Sequence, residues 1–204
     1  MKLTDRAPAM ALAVALGVAV GACSPVGIAL TGGAAIGSAG LSERGVGGTV
    51  ADVRMRSAIS DGWWRESLDI YSRLTVDVTE GRALVMGYLP TEEQRATAIR
   101  IAWQADGIRE VINEVQVGDP PGWLDSFRDR SITTQLRSRL TFDGNILAVN
   151  YSITTIAGTV FLLGVAQNPE ELQRVTDHAR AIGGVQRVVS YVRQRSDPLP
   201  GAGS

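Results

Sequence analysis

Few side chains in this sequence could carry out chemistry, and they do not form an obvious constellation. Cys23 is the only cysteine and His178 the only histidine, so the chain offers no evident Cys–His nucleophile pair. A zinc site needs three or four nitrogen, sulfur or oxygen ligands, and a single cysteine with a single histidine does not indicate one. Paired glutamates at Glu92–Glu93 and Glu170–Glu171 would be the remaining candidates for a general acid and base. We expect no enzymatic activity, no metal and no cofactor.

The paired glutamates are better explained as the first turns of two helices. Thr91 precedes the first pair with Gln94 three residues on, and Asn168-Pro169 precedes the second pair. Both arrangements are typical of capped helix starts. Carboxylates in a first turn are stabilised by the positive end of the helix. His178 falls later in the second of these helices, where a solvated or half-buried side chain is expected.

The lone cysteine follows a short apolar segment. The residues from Ala9 to Val20 are all apolar or Gly, and this run is shorter than the ~20 residues that a bilayer-spanning helix needs. With Lys2 and Arg6 before it, the run is typical of a signal peptide. Val20-Gly-Ala-Cys23 resembles the bacterial lipobox, which implies cleavage before Cys23 and acylation of that residue. The alternative is a secreted protein with an incidental cysteine.

The resemblance to lipoproteins also implies a destination. Ser24, rather than Asp, follows the cysteine, as in lipoproteins delivered to the outer membrane. The glycine-rich residues that come next predict a flexible tether. A phosphate-binding glycine loop is the alternative, but it needs a preceding strand. The expected segments are a signal peptide (1–22), the acylated Cys23 with its tether (23–48), and a disordered Pro/Gly-rich tail (196–204).

The rest of the chain contains an internal repeat. A shift of 77 residues aligns it with itself without a gap, and it brings together identical residues at Asp52/Asp129, Gly81/Gly158, Gly87/Gly164 and Glu93/Glu170. Repeated supersecondary units give this kind of self-similarity. We therefore predict two copies of one small domain, over residues 49–118 and 119–195.

Each copy shows the pattern of helix, strand, strand, helix and strand. Apolar residues at i, i+4 and i+8 predict a first helix with one buried face: Met55, Ile59 and Trp63 in copy one, and Ile132, Leu136 and Leu140 in copy two. Two β segments then flank a tight turn at Gly81 or Gly158, which predicts a hairpin with positive φ at the glycine. A capped helix and a final strand complete each copy.

This order of elements, with its glycine positions, resembles the BON domain of bacterial osmotic-shock and nodulation proteins. The resemblance implies an α+β fold of two tandem αββαβ domains, each with a three-stranded mixed sheet packed against two helices. Together with the lipobox, it implies an outer-membrane lipoprotein whose domains face the periplasm. It further implies binding to anionic phospholipid and a role in envelope integrity, without catalysis.

The charges favour copy two as the lipid-binding copy. Copy one has eight arginines against eleven acidic residues, a net of -3, whereas copy two has nine arginines against seven, a net of +2. Cationic side chains gain ~1 kcal/mol each near an anionic bilayer. The first helix of copy two combines aromatic residues with arginines, and its candidate lipid-binding residues are Trp123, Phe127, Arg128, Arg130 and Arg137. The alternative places the two aromatic residues in the core between the copies.

Copy one has an unusual pair of adjacent tryptophans. Trp63 lies on the apolar stripe of the first helix, so we expect it in the core, whereas Trp64 lies off the stripe. Trp64 either packs against copy two or marks a partner surface. A periplasmic protein-binding scaffold for the envelope assembly machinery is therefore the alternative function. The formal net charge of -1 for the whole chain gives no indication of nucleic-acid binding.

Overall fold

The computed structural model describes residues 45–120 and 122–199, without the side chains of residues 45–47 and 123. The predicted signal peptide, Cys23 and the tether up to residue 44 lie outside the described residues, as do residues 200–204. Within the described ranges, no helix has both the length and the apolarity that crossing a membrane requires.

Copy one of the repeat, which we call domain 1, contains three helices and three strands. In chain order they are α1 (Gly45–Glu66), α2 (Leu68–Arg73), β1 (Leu74–Thr79), β2 (Arg82–Leu89), α3 (Glu92–Trp103) and β3 (Glu110–Val117). The sequence pattern did not predict α2. Ser67 caps this short helix by accepting a hydrogen bond from the Asp69 amide at 3.2 Å.

Copy two, domain 2, has the same order of strands and major helices. Its elements are α4 (Trp123–Phe142), a 3₁₀ turn (Ala148–Asn150), β4 (Tyr151–Ile156), β5 (Thr159–Ala166), α5 (Pro169–Arg180) and β6 (Arg187–Gln194). The single 3₁₀ turn stands where domain 1 has α2. Beyond β6, the carboxylate of Asp197 accepts a hydrogen bond from the Gln194 amide, so the start of the predicted tail contacts the last strand.

Each domain contains one three-stranded mixed sheet, in the order β1-β2-β3 or β4-β5-β6. The first two strands are antiparallel, and the central strand is parallel to the third. The two major helices of each domain pack on one face of its sheet. The αββαβ fold expected from the sequence is therefore confirmed.

The two hairpin turns are held in the same way by a buried aspartate of the preceding helix. Gly81 and Gly158 have φ values of 73° and 71°, as predicted, and the residues before them also have positive φ. Two successive positive φ values are typical of a tight type I′ hairpin turn. Asp52 accepts hydrogen bonds from the amides of Glu80 and Gly81. Asp129 does the same for Ala157 and Gly158, at 2.7 and 2.9 Å.

The second face of each sheet packs against the other domain. Leu84, Met86 and Ile112 of domain 1 form one buried cluster with Phe161 and Leu163 of domain 2. The central strands β2 and β5 are thus covered on both faces, which explains why their sequences are apolar without alternation. The two domains together form four layers, with helices outside, two sheets inside, and the sheets face to face.

The interface between the sheets has approximate two-fold symmetry. Thr154 is the repeat counterpart of Asp77, and its hydroxyl donates to the Asp77 carboxylate at 2.8 Å. Tyr191 is the counterpart of Glu114, and its hydroxyl likewise donates to the Glu114 carboxylate. Counterparts contact each other in this way only near a two-fold axis, so the domains pair as the subunits of an isologous dimer do.

Polar contacts at the interface join the two domains more closely. Arg193 forms a bidentate ion pair with Glu80, at 2.8 and 2.9 Å. Arg82 donates to the backbone carbonyl of Tyr191 at 2.7 Å. Burial, followed by the hydrogen bond to Glu114, raises the pKa of Tyr191 to about 12. The tyrosine is therefore a hydrogen-bond donor at physiological pH.

Gly164 permits the closest backbone approach in domain 2. A Cβ atom at this position would collide with the carbonyl oxygen of Asn150, in the turn that leads into β4. Its repeat counterpart Gly87 has the same relation to the carbonyl of Arg73. The identity of these glycines across the repeat is explained by this contact.

Candidate functional site

Helix α4 carries the residues that the sequence suggested for lipid binding. Its inward face consists of Ile132, Leu136 and Leu140, all of them buried in the core of domain 2. These residues recur every four positions, so they hold one side of the helix against β4 and α5. The opposite side of α4, along its 20 residues, lies in the outer layer of the molecule and faces solvent.

Apolar side chains stand at both ends of this solvent-facing side. Phe127 is 63% exposed, Leu124 is 64% exposed and Phe142 is 86% exposed. Leu124 and Phe142 lie 18 positions apart, which is five turns at 3.6 residues per turn and about 27 Å along the axis. Between these ends the helix presents the small hydroxyl residues Ser131, Thr134 and Ser138, all exposed. The face therefore has apolar ends and a low, polar centre.

Arginines border this face on both sides. Arg130 and Arg137 are exposed, and their seven-residue spacing places them along one edge of the face. Arg128 and Arg139, eleven residues apart and also exposed, lie along the other edge. Long cationic side chains in these rows can reach anionic groups that surround an inserted apolar residue.

The acidic residues of α4 offset little of this charge. Asp129 points inward and bonds to the hairpin turn of domain 2. Asp125 forms a loose i,i+3 pair with Arg128, at 3.5 Å between Oδ1 and Nη1. The outer side of the helix thus carries four arginines against one aspartate.

The structure changes how the charge difference between the copies should be interpreted. Glu80 of domain 1 and Arg193 of domain 2 neutralise each other inside the interface, with side chains that are 15% and 12% exposed. Asp77, also at the interface, pairs with Arg56 at 3.4 Å. Net charges summed over each copy therefore overstate the difference between the outer surfaces. The local charge of α4 is the better measure.

All five sequence-predicted residues belong to α4, and the side chains of four of them are described. Phe127, Arg128, Arg130 and Arg137 are all exposed on α4, so Phe127 is not part of a core between the domains. Trp123 begins the helix, but its side chain lies outside the described part of the chain.

Two further residues of this face, Leu124 and Phe142, were missed by the sequence interpretation. Their positions on the side of the helix opposite Ile132, Leu136 and Leu140 were available from the 3.6-residue periodicity.

The other polar residues that could have carried chemistry make structural contacts. His178 is half-buried, and its Nε2 lies 2.8 Å from Oδ2 of Asp143. The hydrogen bond from His178 is the largest cause that lowers the pKa of Asp143. Glu171 is buried and accepts hydrogen bonds from Tyr151 and from the amides of Leu147 and Gln167. It therefore joins the start of α5 to β4, in addition to its place in a first turn.

These contacts define two tandem αββαβ domains whose buried polar groups hold the fold. A family model for the BON domain matches residues 48–119 and 128–196. The chain belongs to the BON-domain family, and it contains two copies of the domain.

Two relatives illustrate the similarity. The chain is 38% identical over 131 residues to the "Uncharacterized protein in gshII 5'region" of Anaplasma centrale, covering 64% of this chain and 87% of that protein. It is 26% identical over 188 residues to the "Outer membrane lipoprotein DolP" of Haemophilus influenzae, covering 91% and 96% of the two chains.

Among solved structures, similarity extends to a protein named CdsD, described as a structural protein of the type III secretion system of Chlamydia trachomatis. It has a TM-score of 0.29 and 19% identity, with coverage of 66% of this chain and 62% of that chain.

Proposed function

We propose that this protein is a non-enzymatic lipoprotein of the outer membrane that binds anionic phospholipid through helix α4. The observation that carries the proposal is the outer side of α4, where exposed apolar residues stand between two rows of arginines. A helix that lies on a bilayer binds it through the burial of its exposed apolar side chains and through the attraction of its basic side chains to anionic headgroups. In this proposal the protein supports envelope integrity from the periplasmic side.

Anchoring through Cys23 completes the proposal. Acyl chains contribute ~0.8 kcal/mol per buried CH₂, and stable anchoring takes more than one chain. The similarity over 91% of the chain to an outer membrane lipoprotein supports the lipobox interpretation. With the domains tethered to the bilayer, even a weak contact by α4 is favoured, because the tether raises its effective concentration.

A vesicle titration tests the lipid contact. The protein carrying Cys23→Ala, without its signal peptide, is titrated with vesicles of phosphatidylglycerol mixed into phosphatidylcholine, and with phosphatidylcholine alone. We expect binding only to the anionic vesicles. Because a membrane-proximal arginine contributes ~1 kcal/mol, the double reversal Arg130→Glu and Arg137→Glu should weaken binding at least tenfold, or about 1.4 kcal/mol.

The matched control uses two arginines of domain 1. Arg54 and Arg100 are exposed on α1 and α3, and their reversal to Glu changes the net charge by the same amount. This control is cleaner than one with Arg56, which pairs with Asp77. Equal losses from the two double variants would show that α4 is not the lipid face. An absence of binding to anionic vesicles at about 50 mM salt, where screening is weak, would refute lipid binding.

Acylation is tested separately. In cells given a labelled fatty acid, the full-length protein should incorporate the label and sediment with membranes, and Cys23→Ala should do neither. An unlabelled wild type would show that the cysteine is incidental.

A further inference from the structure

Domain 1 exposes a cluster of apolar side chains that neither the fold nor the lipid contact uses. Trp64, at the end of α1, is 57% exposed, and it packs edge to face against Tyr71 with ring centroids 5.5 Å apart. Leu68 lies between them in sequence and is also exposed. We call these three residues the aromatic patch.

The aromatic patch is specific to one copy of the repeat. The counterparts of Trp64, Leu68 and Tyr71 in domain 2 are Thr141, Asn145 and Ala148, which are polar or small. Domain 2 therefore adopts the same fold without an aromatic cluster at these positions, so the fold does not require one. Because exposed large apolar residues that cluster together often mark interaction sites, the difference points to a role for domain 1 alone.

Helix α2, which carries part of the aromatic patch, is fixed to the rest of domain 1 by apolar and polar contacts. Helix α2 inserts Ile70 into the core of domain 1. Asp69, on the same helix, bonds to Arg73 at 2.6 Å and to the side-chain amide of Gln94 at 3.3 Å. Ordered aromatic residues lose little conformational entropy on binding, which suits them as anchors for a partner.

The layer arrangement separates the helices that carry the patch from α4. Helices α1 and α2 form the outer layer of domain 1, α4 lies in the outer layer of domain 2, and the two face-to-face sheets separate these layers. If α4 lies on a bilayer, as the proposed function requires, the opposite layer cannot contact the same flat surface.

The exposed charges near the patch are mainly acidic. Asp61 and Glu66 flank Trp64 on α1, and Glu93 is exposed in the first turn of α3, which reaches α2 through Gln94. Arg65 is exposed on α1, whereas Arg73 and Arg95 are paired with Asp69 and Glu92. Beyond these two pairs, three carboxylates stand against the Arg65 guanidinium, a balance that disfavours an anionic bilayer and favours a cationic partner.

We propose that the aromatic patch binds a protein segment that presents an apolar side chain flanked by lysines or arginines. The apolar side chain packs on Trp64 and Tyr71, and the flanking cations interact with Asp61 and Glu66. Burial of an aromatic anchor within a rim of complementary charge is the usual composition of an interaction hot spot. Domain 1 would then hold a protein while domain 2 holds the membrane.

Photocrosslinking from the patch tests this proposal in the cell. Benzoylphenylalanine replaces Trp64 in the full-length protein, and the matched control carries it at the counterpart, Thr141. After irradiation, the crosslinked peptides are identified by mass spectrometry. We expect adducts from position 64 to discrete protein segments with an apolar residue and net positive charge, and no such adducts from position 141.

A binding measurement with the identified segment completes the test. As a synthetic peptide, the segment should bind the purified protein, and Trp64→Ala with Tyr71→Ala should weaken that binding at least tenfold, about 1.4 kcal/mol. Trp64 and Tyr71 are partly exposed and pack on each other, so the melting temperature of the double variant should fall modestly, whereas its affinity for anionic vesicles should remain unchanged. The vesicle measurement separates a failure of this proposal from a failure of lipid binding.

Several outcomes would overturn the proposal. These are adducts to lipid alone, adducts to another copy of this chain, adducts to acidic segments, the same adducts from position 141, and the absence of protein adducts. An affinity for the peptide that the double variant leaves unchanged would overturn it as well.

Discussion

The substitution Asp129→Asn should destabilise domain 2 strongly, although it replaces a single non-hydrogen atom. The carboxylate is buried and accepts hydrogen bonds from the amides of Ala157 and Gly158, at 2.7 and 2.9 Å. These amides belong to a turn whose residues both have positive φ. The turn amides depend on Asp129 for acceptors, because a hairpin of this geometry directs them toward α4.

The expected magnitude follows from the two hydrogen bonds. Hydrogen bonds to charged groups contribute ~1.5–3 kcal/mol each, and a buried donor left without a partner costs ~1–3 kcal/mol. Asparagine keeps one carbonyl oxygen but turns an NH₂ group toward the second amide. One bond is therefore weakened and one is lost, which predicts a loss of about 2–4 kcal/mol in the free energy of unfolding.

Chemical denaturation measures this loss, with Asp125→Asn as the control. Asp125 lies on the same helix, and its side chain is 46% exposed in a loose pair with Arg128, so its substitution should cost less than about 0.5 kcal/mol. Hydrogen exchange provides a second readout, because the amides of Ala157 and Gly158 should lose protection in Asp129→Asn alone. Equal stability of the two variants, with the turn amides still protected, would refute the role assigned to Asp129.

Three further predictions concern other contacts of the fold. Gly164→Ala should lower stability by about 1–3 kcal/mol, because the added methyl group meets backbone rather than a movable side chain; an unchanged melting temperature would contradict this close approach. The lowered pKa of Asp143 contributes stability that is present above its usual value of 3.8 and lost as pH falls through the lowered value. When the pH is lowered from about 5 to about 2, Asp143→Asn should therefore lose less stability than the wild type. Parallel curves of unfolding free energy against pH for the two proteins would exclude the pairing with His178. A double-mutant cycle on Glu80 and Arg193 should give a coupling of about 1–3 kcal/mol, since the pair is largely shielded from solvent; a coupling near zero would mean that the pair contributes nothing to the contact between domains.

The internal repeat explains why so much of each domain could be predicted from sequence. Apolar residues at helical spacing identified the inward faces of α1 and α4, and Trp63 is buried as its position on that stripe predicts. Other features that could be predicted are local: the capped starts of α3 and α5, and the positive φ of Gly81 and Gly158. Local features can be predicted without knowledge of distant contacts. Helix α2 was not predicted, because its six residues are too few to show a helical period.

The candidate site could be predicted only in part. The sequence located the arginines and Phe127 on one helix, but it left open whether Phe127 faced solvent or the other domain. That choice depends on where the second domain packs, which is a contact between distant residues. Leu124 and Phe142 are exposed on the same face, and the helical periodicity of the sequence was sufficient to place them there.

The sequence by itself determined the two αββαβ units, because hydrogen bonding and side-chain periodicity within about 75 residues are encoded locally and occur twice. The pairing of the two sheets was decided only in the tertiary structure. Asp77 and Thr154, or Glu114 and Tyr191, show no complementarity that singles them out in the sequence, yet each pair meets near the two-fold axis. The reason is that a repeat specifies equivalent surfaces, whereas the rotation that joins them depends on how Leu84, Met86 and Phe161 fill the space between the sheets. That same rotation places α4 and the helices of the aromatic patch on opposite sides of the paired sheets.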